Sequence, residues 1–261
     1  MESQESLLVS IIQPDTYWEN PVANRAELEE EIASLRDSPD LIVLPEMFTT
    51  GFSNNPQKFA EPMNFTTHKW MKQIAAQYQT AVCGSLIIKE TDKYFNRILF
   101  VLPNGDTLHY DKKHLFAFGG EAELFSSGDQ RLIVDYKGWK ICPLICYDLR
   151  FPVFARNTNL DYDILIYTAS WPASRAHVWN TLLQARALEN QSYVIGANRV
   201  GIDGNDIAYS GGSLAIDPKG LIIANLQSNQ TSHTVHLSKN DMDNFRKKFP
   251  AHLDADEFRL L

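Results

Sequence analysis

The hydrophobic pattern changes period repeatedly along the chain. Residues 7–13, "LLVSIIQ", are short and mostly apolar and predict a strand. Residues 23–36 switch to a helical period, with Leu28, Ile32 and Leu35 on one face. "LIVL" at 41–44 is wholly apolar and closes at Pro45-Glu46, as a strand buried on both faces does. Residues 66–79 return to the helical period through Trp70, Ile74 and Tyr78. Strands are predicted near 81–88, 95–102 and 106–110, with Asn104-Gly105 as the hairpin turn between the last two. An irregular segment at 117–129 precedes strands near 131–136 and 139–145. A buried strand at 162–168, a helix at 178–191 and a strand at 192–199 follow. The region 210–238 is strand-rich, with a turn at Asp217-Pro218-Lys219-Gly220, and 240–247 closes as a short helix.

Strands alternating with helices, several of the strands wholly apolar, predict sheets covered by helices and an α/β fold. No linker, low-complexity tract or internal repeat interrupts the pattern, so residues 1–261 read as one domain. An apolar fraction of 44% suits a chain with a large core.

Charge and cysteine usage narrow the partners. The net charge of -8 lacks the basic footprint of nucleic-acid binding. No apolar run reaches the roughly 18 residues of a membrane span. The N-terminal "LLVSII" is too short for a signal core and lacks positive flanks. Cys83, Cys142 and Cys146 form a sparse, odd set without metal-pair spacing, which points to a reducing, cytoplasmic setting without a disulfide framework or a metal.

Three residues share a position relative to the strands. Glu46 follows the strand at 41–44, Lys112 follows that near 106–110, and Cys146 ends that at 139–145. Reactive groups of α/β folds often sit beyond the carboxyl ends of strands, where the sheet aims them into a crevice. Each also has an unreactive reading. A cysteine after a strand is commonly a buried hydrophobe, a glutamate after proline a solvated turn, and Lys112 half of an exposed Lys112-Lys113 pair. His114 offers a Cys–His pair or a core histidine. Taken together, a thiol, a carboxylate to remove its proton and an ammonium to hold an oxyanion form an acyl-transfer site that needs neither metal nor cofactor.

The segments "LIVLPEMF" (41–48), "YDKKHLF" (110–116) and "LICYDLRFP" (144–152), in that order, resemble the nitrilase superfamily of carbon–nitrogen hydrolases. "LLQARALENQSYV" (182–194) resembles the helix and strand that follow the cysteine block in that family. The resemblance implies a four-layer α-β-β-α sandwich and a homodimer formed through the outer helical face. It also implies Glu46, Lys112 and Cys146 as the catalytic triad, with Lys112 rather than Lys113 as the catalytic lysine. Glu121, in preference to Glu123, matches the family's second glutamate. "LPEMFTTGFS" (44–53) and "FAFGGEAELFSSG" (116–128) resemble the omega-amidase branch, which cleaves the distal amide of short dicarboxylic acid monoamides. The expected partners are therefore a small amide substrate and water. Relatives acting on nitriles, carbamoyl amino acids or deaminated glutathione would share the triad, and a non-catalytic binding relative would share the fold.

Within this scheme Glu46 is the general base and acid, and the oxyanion is held by Lys112 and the backbone N–H of Tyr147. Arg175, in "SWPASR" (170–175), is the candidate partner of the substrate carboxylate, with Phe52, Phe116 and Trp171 as pocket walls. Asp148 and Arg150 are expected to fix the turn carrying Cys146, as an ion pair or through contacts at a helix start. Cys83 and Cys142 are expected to be inert core residues.

Overall fold

The fold is taken from a computed structural model, which describes residues 5–256 and 258. The first half supplies strands β1 (Ser6–Gln13), β2 (Leu41–Val43), β3 (Ala81–Glu90), β4 (Lys93–Val101) and β5 (Thr107–Asp111). The second half supplies β6 (Val134–Tyr136), β7 (Trp139–Ile145), β8 (Ile164–Thr168), β9 (Tyr193–Ala197), β10 (Val200–Ile202), β11 (Ala208–Ser210), β12 (Leu214–Ile216), β13 (Ile222–Asn225) and β14 (Thr231–Ser238). The α-helices are α1 (Pro21–Ala33), α2 (Pro56–Phe59), α3 (Thr66–Tyr78), α4 (Glu121–Leu124), α5 (Pro152–Ala155), α6 (Ala176–Asn190) and α7 (Lys239–Lys248).

Two six-stranded sheets result, in the orders β14-β1-β2-β3-β4-β5 and β13-β12-β9-β8-β7-β6. Each has three parallel strands at its centre, β1-β2-β3 and β7-β8-β9, with antiparallel neighbours outside them. The period-2 alternation of the strands explains the layering. Val9, Ile11, Leu41, Val43, Cys83, Ile98 and Phe100 join Ile141, Leu144, Ile164 and Ile166 in one core cluster. Their sequence neighbours Ile12, Ile42, Val82, Leu99 and Val101 face the other way, against Leu28 and Ile32 of α1 and Trp70, Met71 and Ile74 of α3. On the far side α6 packs onto β9, where a Cβ at Gly196 would stand 2.6 Å from Leu183. The layers are therefore helix, sheet, sheet, helix, as the resemblance implied.

Helix ends follow local chemistry. Proline opens α1, and the Asn20 side chain caps it by accepting from Ala23 N–H at 3.2 Å. Most predicted elements appear with small shifts at their ends. The exception is 200–210, where a two-stranded hairpin, β10-β11, pairs apart from both large sheets. Among the described residues no helix is long and apolar enough to cross a membrane.

Candidate active site

The chain leaves β2, β5 and β7 at the same region of the sandwich. Beyond β2, Leu44 N–H still donates to Cys83 O at 2.8 Å, and Pro45 carries the chain into Glu46. Met47 then turns sharply, with φ of 45°. Its N–H is received by the Ser85 hydroxyl at 2.9 Å, which fixes the backbone beside Glu46. Beyond β5, Lys112 N–H donates to Asn96 O at 3.0 Å. Cys146 follows β7 directly, with φ of 41°. A non-glycine residue in this region costs about 1–3 kcal/mol and needs a supporting structure. Asp148 gives that support. Its Oδ2 accepts from Ile145 N–H at 2.9 Å and from the Tyr110 hydroxyl at 2.8 Å. Its Oδ1 accepts from His114 N–H at 3.0 Å, which ties the cysteine turn to the lysine segment.

The three distant segments meet in one buried cluster. Lys112 Nζ donates to Glu46 Oε1 at 2.8 Å and to Glu121 Oε2 at 2.8 Å and Oε1 at 3.1 Å. Glu46, Lys112 and Glu121 are at most 1% exposed. Glu46 Oε2 accepts from Ser170 N–H at 3.0 Å, and Cys146 lines the same cavity as Glu46. Phe116 N–H donates to Glu121 Oε2 at 2.6 Å. Glu123, by contrast, is exposed.

The electrostatics are set by burial and by these neighbours. Burial pushes the Cys146 thiol well above its ordinary range; Glu46 raises it further, while Lys112 and the Ser170 N–H oppose the rise. The sulfur therefore rests as a thiol and needs a base. Burial alone would lower the Lys112 pKa, but the Glu121 and Glu46 carboxylates outweigh it and raise it. The lysine is thus held as an ammonium, which can donate to negative charge but cannot act as a base.

A cavity of about 300 Å³ opens over this cluster, lined by Glu46, Lys112 and Cys146. Phe52, Phe116, Tyr147, Trp171 and Arg175 line it as well. Phe52 stands against Phe116 with ring centroids 6.3 Å apart, and Phe116 against Tyr147 at 5.0 Å. Arg175 Cζ lies 5.6 Å from the Phe116 ring. Cys83 and Cys142 are fully buried in the core, away from the cavity.

Asp148 fixes the cysteine turn through a contact at the helix start, one of the two readings expected of it, but the Asp148–Arg150 ion pair and the Cys–His pair are not found among the described residues. Asp148 and Arg150 do not pair among the described residues. Asp148 pairs with His114 Nδ1 at 2.8 Å, whereas Arg150 lines the cavity with its Cζ 5.1 Å from the Trp171 ring. Cys146–Arg150 forms a 3-10 turn, whose three residues per turn send side chains two apart to different sides. His114 does not serve the sulfur: it stacks on Phe151 at 3.8 Å and is held by Asp148 outside the cavity lining.

The structure also adds residues that the sequence pattern did not mark. Asn96, on β4 and fully buried, donates from Nδ2 to Glu46 Oε1 at 2.8 Å and to Glu121 Oε1 at 3.0 Å. Its Oδ1 accepts from the Ser85 hydroxyl at 2.9 Å. An asparagine inside the apolar strand "FNRILFV" was the available signal, because a buried carboxamide demands polar partners. Ser170 holds Glu46 twice, through its N–H and through its hydroxyl, which donates to Glu46 O at 3.1 Å. Asp203, Asn205, Ile207 and Tyr209 of the β10-β11 hairpin form a further wall. The Asp203-Gly204-Asn205-Asp206 run between "VGI" and "AYS" carries the turn residues that mark a hairpin.

Residues 8–247 match the sequence profile of the family described as carbon-nitrogen hydrolase. The chain is 42% identical over 255 residues to omega-amidase YafV of Escherichia coli strain K12, covering 97% of this chain and 98% of that protein. It is 32% identical over 220 residues to 2-oxoglutaramate amidase of Bacillus subtilis strain 168, covering 83% and 85% of the two chains. Among solved structures, XC1258 of Xanthomonas campestris, a CN-hydrolase superfamily protein with an arsenic adduct in its active site, superposes with a TM-score of 0.97. That match has 40% identity and covers 99% of this chain and 100% of the other. The chain therefore belongs to the carbon–nitrogen hydrolase family, within the nitrilase superfamily.

Proposed function

We propose that this enzyme is an omega-amidase, hydrolysing the distal amide of short dicarboxylic acid monoamides such as 2-oxoglutaramate and 2-oxosuccinamate to the dicarboxylate and ammonia. The observation that carries this reading is a single cavity with two functional regions. One holds the thiol of Cys146, the carboxylate of Glu46 and the ammonium of Lys112. The other holds Arg175 and Arg150, neither of which has an ion-pair partner among the described residues. A substrate with an amide at one end and a carboxylate at the other matches both. The likeness to YafV and to 2-oxoglutaramate amidase supports this choice of amide.

In the first half-reaction Glu46 takes the thiol proton as the sulfur attacks the amide carbon. The carbonyl electron pair moves to oxygen, where Lys112 and the backbone N–H of Tyr147 receive it. Glu46 returns the proton to nitrogen, the C–N bond breaks, and ammonia leaves a Cys146 thioester. In the second half Glu46 deprotonates water, hydroxide adds to the thioester, and collapse expels the thiol. One carboxylate thus serves both halves. Glu121 and Asn96 hold Lys112 and Glu46 in register, and the loss of one oxyanion donor costs about 3 kcal/mol, or roughly 100-fold in rate.

Ammonia release from 2-oxoglutaramate and 2-oxosuccinamate, compared with a nitrile and an N-carbamoyl amino acid, tests the reading. The two monoamides are expected to exceed the other substrates in kcat/KM. Preferential turnover of the nitrile or carbamoyl compound would overturn it. The same reading includes a homodimer through the outer helical face, where Val153 of α5 and Leu188 of α6 are exposed. Sedimentation of a monomer at micromolar concentration would remove that part.

A further inference from the structure

We propose that the β10-β11 hairpin is the wall that sets the acyl length this cavity accepts, and that Asp203 is the residue that positions it. The proposal rests on the amidase reading of the same cavity and names the element that selects among its substrates.

The hairpin belongs to neither large sheet. It pairs with itself, Val200 with Ser210, Gly201 with Tyr209 and Ile202 with Ala208. Outside that pairing its one strand bridge among the described residues joins Val200 to Asp15. Its place over the cavity therefore depends on local contacts, not on sheet register. Asp203, 6% exposed, supplies them at the tip. Its Oδ1 accepts from Asn205 N–H at 2.8 Å and Ile207 N–H at 3.0 Å, and its Oδ2 accepts from the Tyr209 hydroxyl at 2.9 Å. Asp203 N–H also donates to Ile207 O at 3.0 Å. One carboxylate thus fixes Asn205, Ile207 and Tyr209, the three residues that line the cavity beside Asp203 on this hairpin.

The outer side of the hairpin is clamped as tightly. The buried Arg199 lies 4.7 Å from the Tyr209 ring and donates to Val200 O at 3.0 Å and Thr16 O at 2.9 Å. At Gly201, with φ of 92°, a Cβ would stand 1.9 Å from Asp15 Oδ1; at Gly204 it would stand 2.2 Å from the Trp18 ring. The segment 15–18 thus packs on bare backbone, and the hairpin has no room to swing outward. Its inner side, at β11, contacts the Ala173–Arg175 turn. The wall therefore reaches the turn that carries Arg175, where the far end of the acyl chain is proposed to lie. The Asp203 carboxylate is satisfied by its own hairpin, so the wall meets the acyl chain with the bulk of Ile207 and Tyr209 beside the Asn205 side chain.

A fixed apolar wall discriminates by about 10- to 200-fold per methylene. The test measures kcat and KM for the four-, five- and six-carbon dicarboxylic monoamides in the wild type, Ile207→Ala, Asp203→Ala and Asp203→Asn. Ile207→Ala is expected to raise the kcat/KM ratio of the six-carbon to the four-carbon substrate by about 10-fold, chiefly through KM of the longer substrate. Asp203→Ala is expected to move the ratio the same way, and Asp203→Asn, which keeps an acceptor for the two N–H groups, to return it toward the wild-type value. Ile207 is 41% exposed, so its truncation reads the wall even if Asp203→Ala does not fold. A ratio within about two-fold of wild type in Ile207→Ala, with the wild type active, overturns the wall alone. A wild type that releases no ammonia from any of the three overturns the amidase reading and the wall with it.

Discussion

Asn96 Nδ2 donates to Glu46 Oε1 at 2.8 Å, onto the same oxygen that receives the Lys112 ammonium, although 50 residues separate the two side chains in sequence. The carboxamide also reaches Glu121, so one neutral side chain holds two buried carboxylates at the distance the ammonium requires. Asn96→Ala leaves both with one donor fewer. The expected outcome is a fall in kcat of about 10- to 100-fold, the worth of one or two hydrogen bonds to charged groups, with little change in KM. Asn96→Asp, which adds a third carboxylate, is expected to lose more. Steady-state kinetics of both variants on 2-oxoglutaramate make the check, and a change confined to KM would contradict the placement.

Lys112 and Lys113 adjoin but face different surroundings. Lys112 is fully buried between carboxylates, and Lys113 is half-buried and outside the cavity lining. On the proposed mechanism Lys112→Ala removes an oxyanion donor and is expected to cost at least about 100-fold in kcat. It also leaves buried carboxylates without their cation, a loss of about 3–5 kcal/mol that lowers Tm by roughly 10 °C. Lys113→Ala is expected to stay within about 0.5 kcal/mol of wild type in stability and close to it in rate. Equal losses in the two variants would mean that the lysine is wrongly placed.

Arg175 stands over the Phe116 ring, with its guanidinium open to the cavity. If it holds the substrate carboxylate, Arg175→Ala should raise KM for 2-oxoglutaramate by about 10- to 100-fold, the value of a charged hydrogen bond. Unchanged KM would remove the assignment and leave Arg150, on the Trp171 ring, as the remaining cavity arginine.

Glu31 on α1 gives the fold a pH dependence away from the cavity. Burial, and then its neighbour Glu27 one turn earlier, raise its pKa to about 7. Its Oε2 is buried without a hydrogen-bond partner among the described residues. A carboxyl whose folded pKa lies above its unfolded one favours the folded state while protonated. That contribution is full below the model-peptide value of about 4.5 and is lost as pH rises through about 7. Glu31→Gln should therefore melt with the wild type near pH 4 and a few degrees above it at pH 8, a margin reduced by solvent screening of this partly exposed group. Thermal melts across that range make the check, and a Gln variant less stable at pH 8 would contradict the sign.

The sequence made Glu46 and Cys146 legible as candidates because each directly follows an apolar strand, whereas Lys112 follows the largely polar Thr107–Asp111 and was marked, over Lys113, by the family resemblance. Glu46 after "LIVLP" and Cys146 after "KICPLI" stand out against runs that bury both faces. The four-layer order was less legible from pattern alone. Alternation tells that Ile42 and Val43 face opposite ways, but not that one side meets a second sheet and the other meets α1 and α3. Asn96 escaped notice because a polar residue in a strand ordinarily faces solvent, and only the three-dimensional meeting with Glu46 and Glu121 gives it partners. Arg150 was misread because two-residue spacing suggests a local pair, whereas the 3-10 turn points Asp148 into the protein and Arg150 into the cavity. The β10-β11 hairpin was missed because strands of three residues, Val200–Ile202 and Ala208–Ser210, hold too little periodic signal.

The central claim is that Glu46 draws the proton from a buried Cys146 thiol and makes it the only reactive sulfur. Burial holds Cys142 up at about 12 and raises Cys83 as well, and neither lines the cavity. Peptide-resolved labelling with iodoacetamide at pH 7, followed alongside ammonia release, tests this most directly. The account predicts that Cys146 is labelled first, that activity falls in proportion, and that Glu46→Gln slows the labelling by about 100-fold. Full labelling of Cys146 with activity retained, or labelling of Cys83 and Cys142 at the same rate, would contradict it.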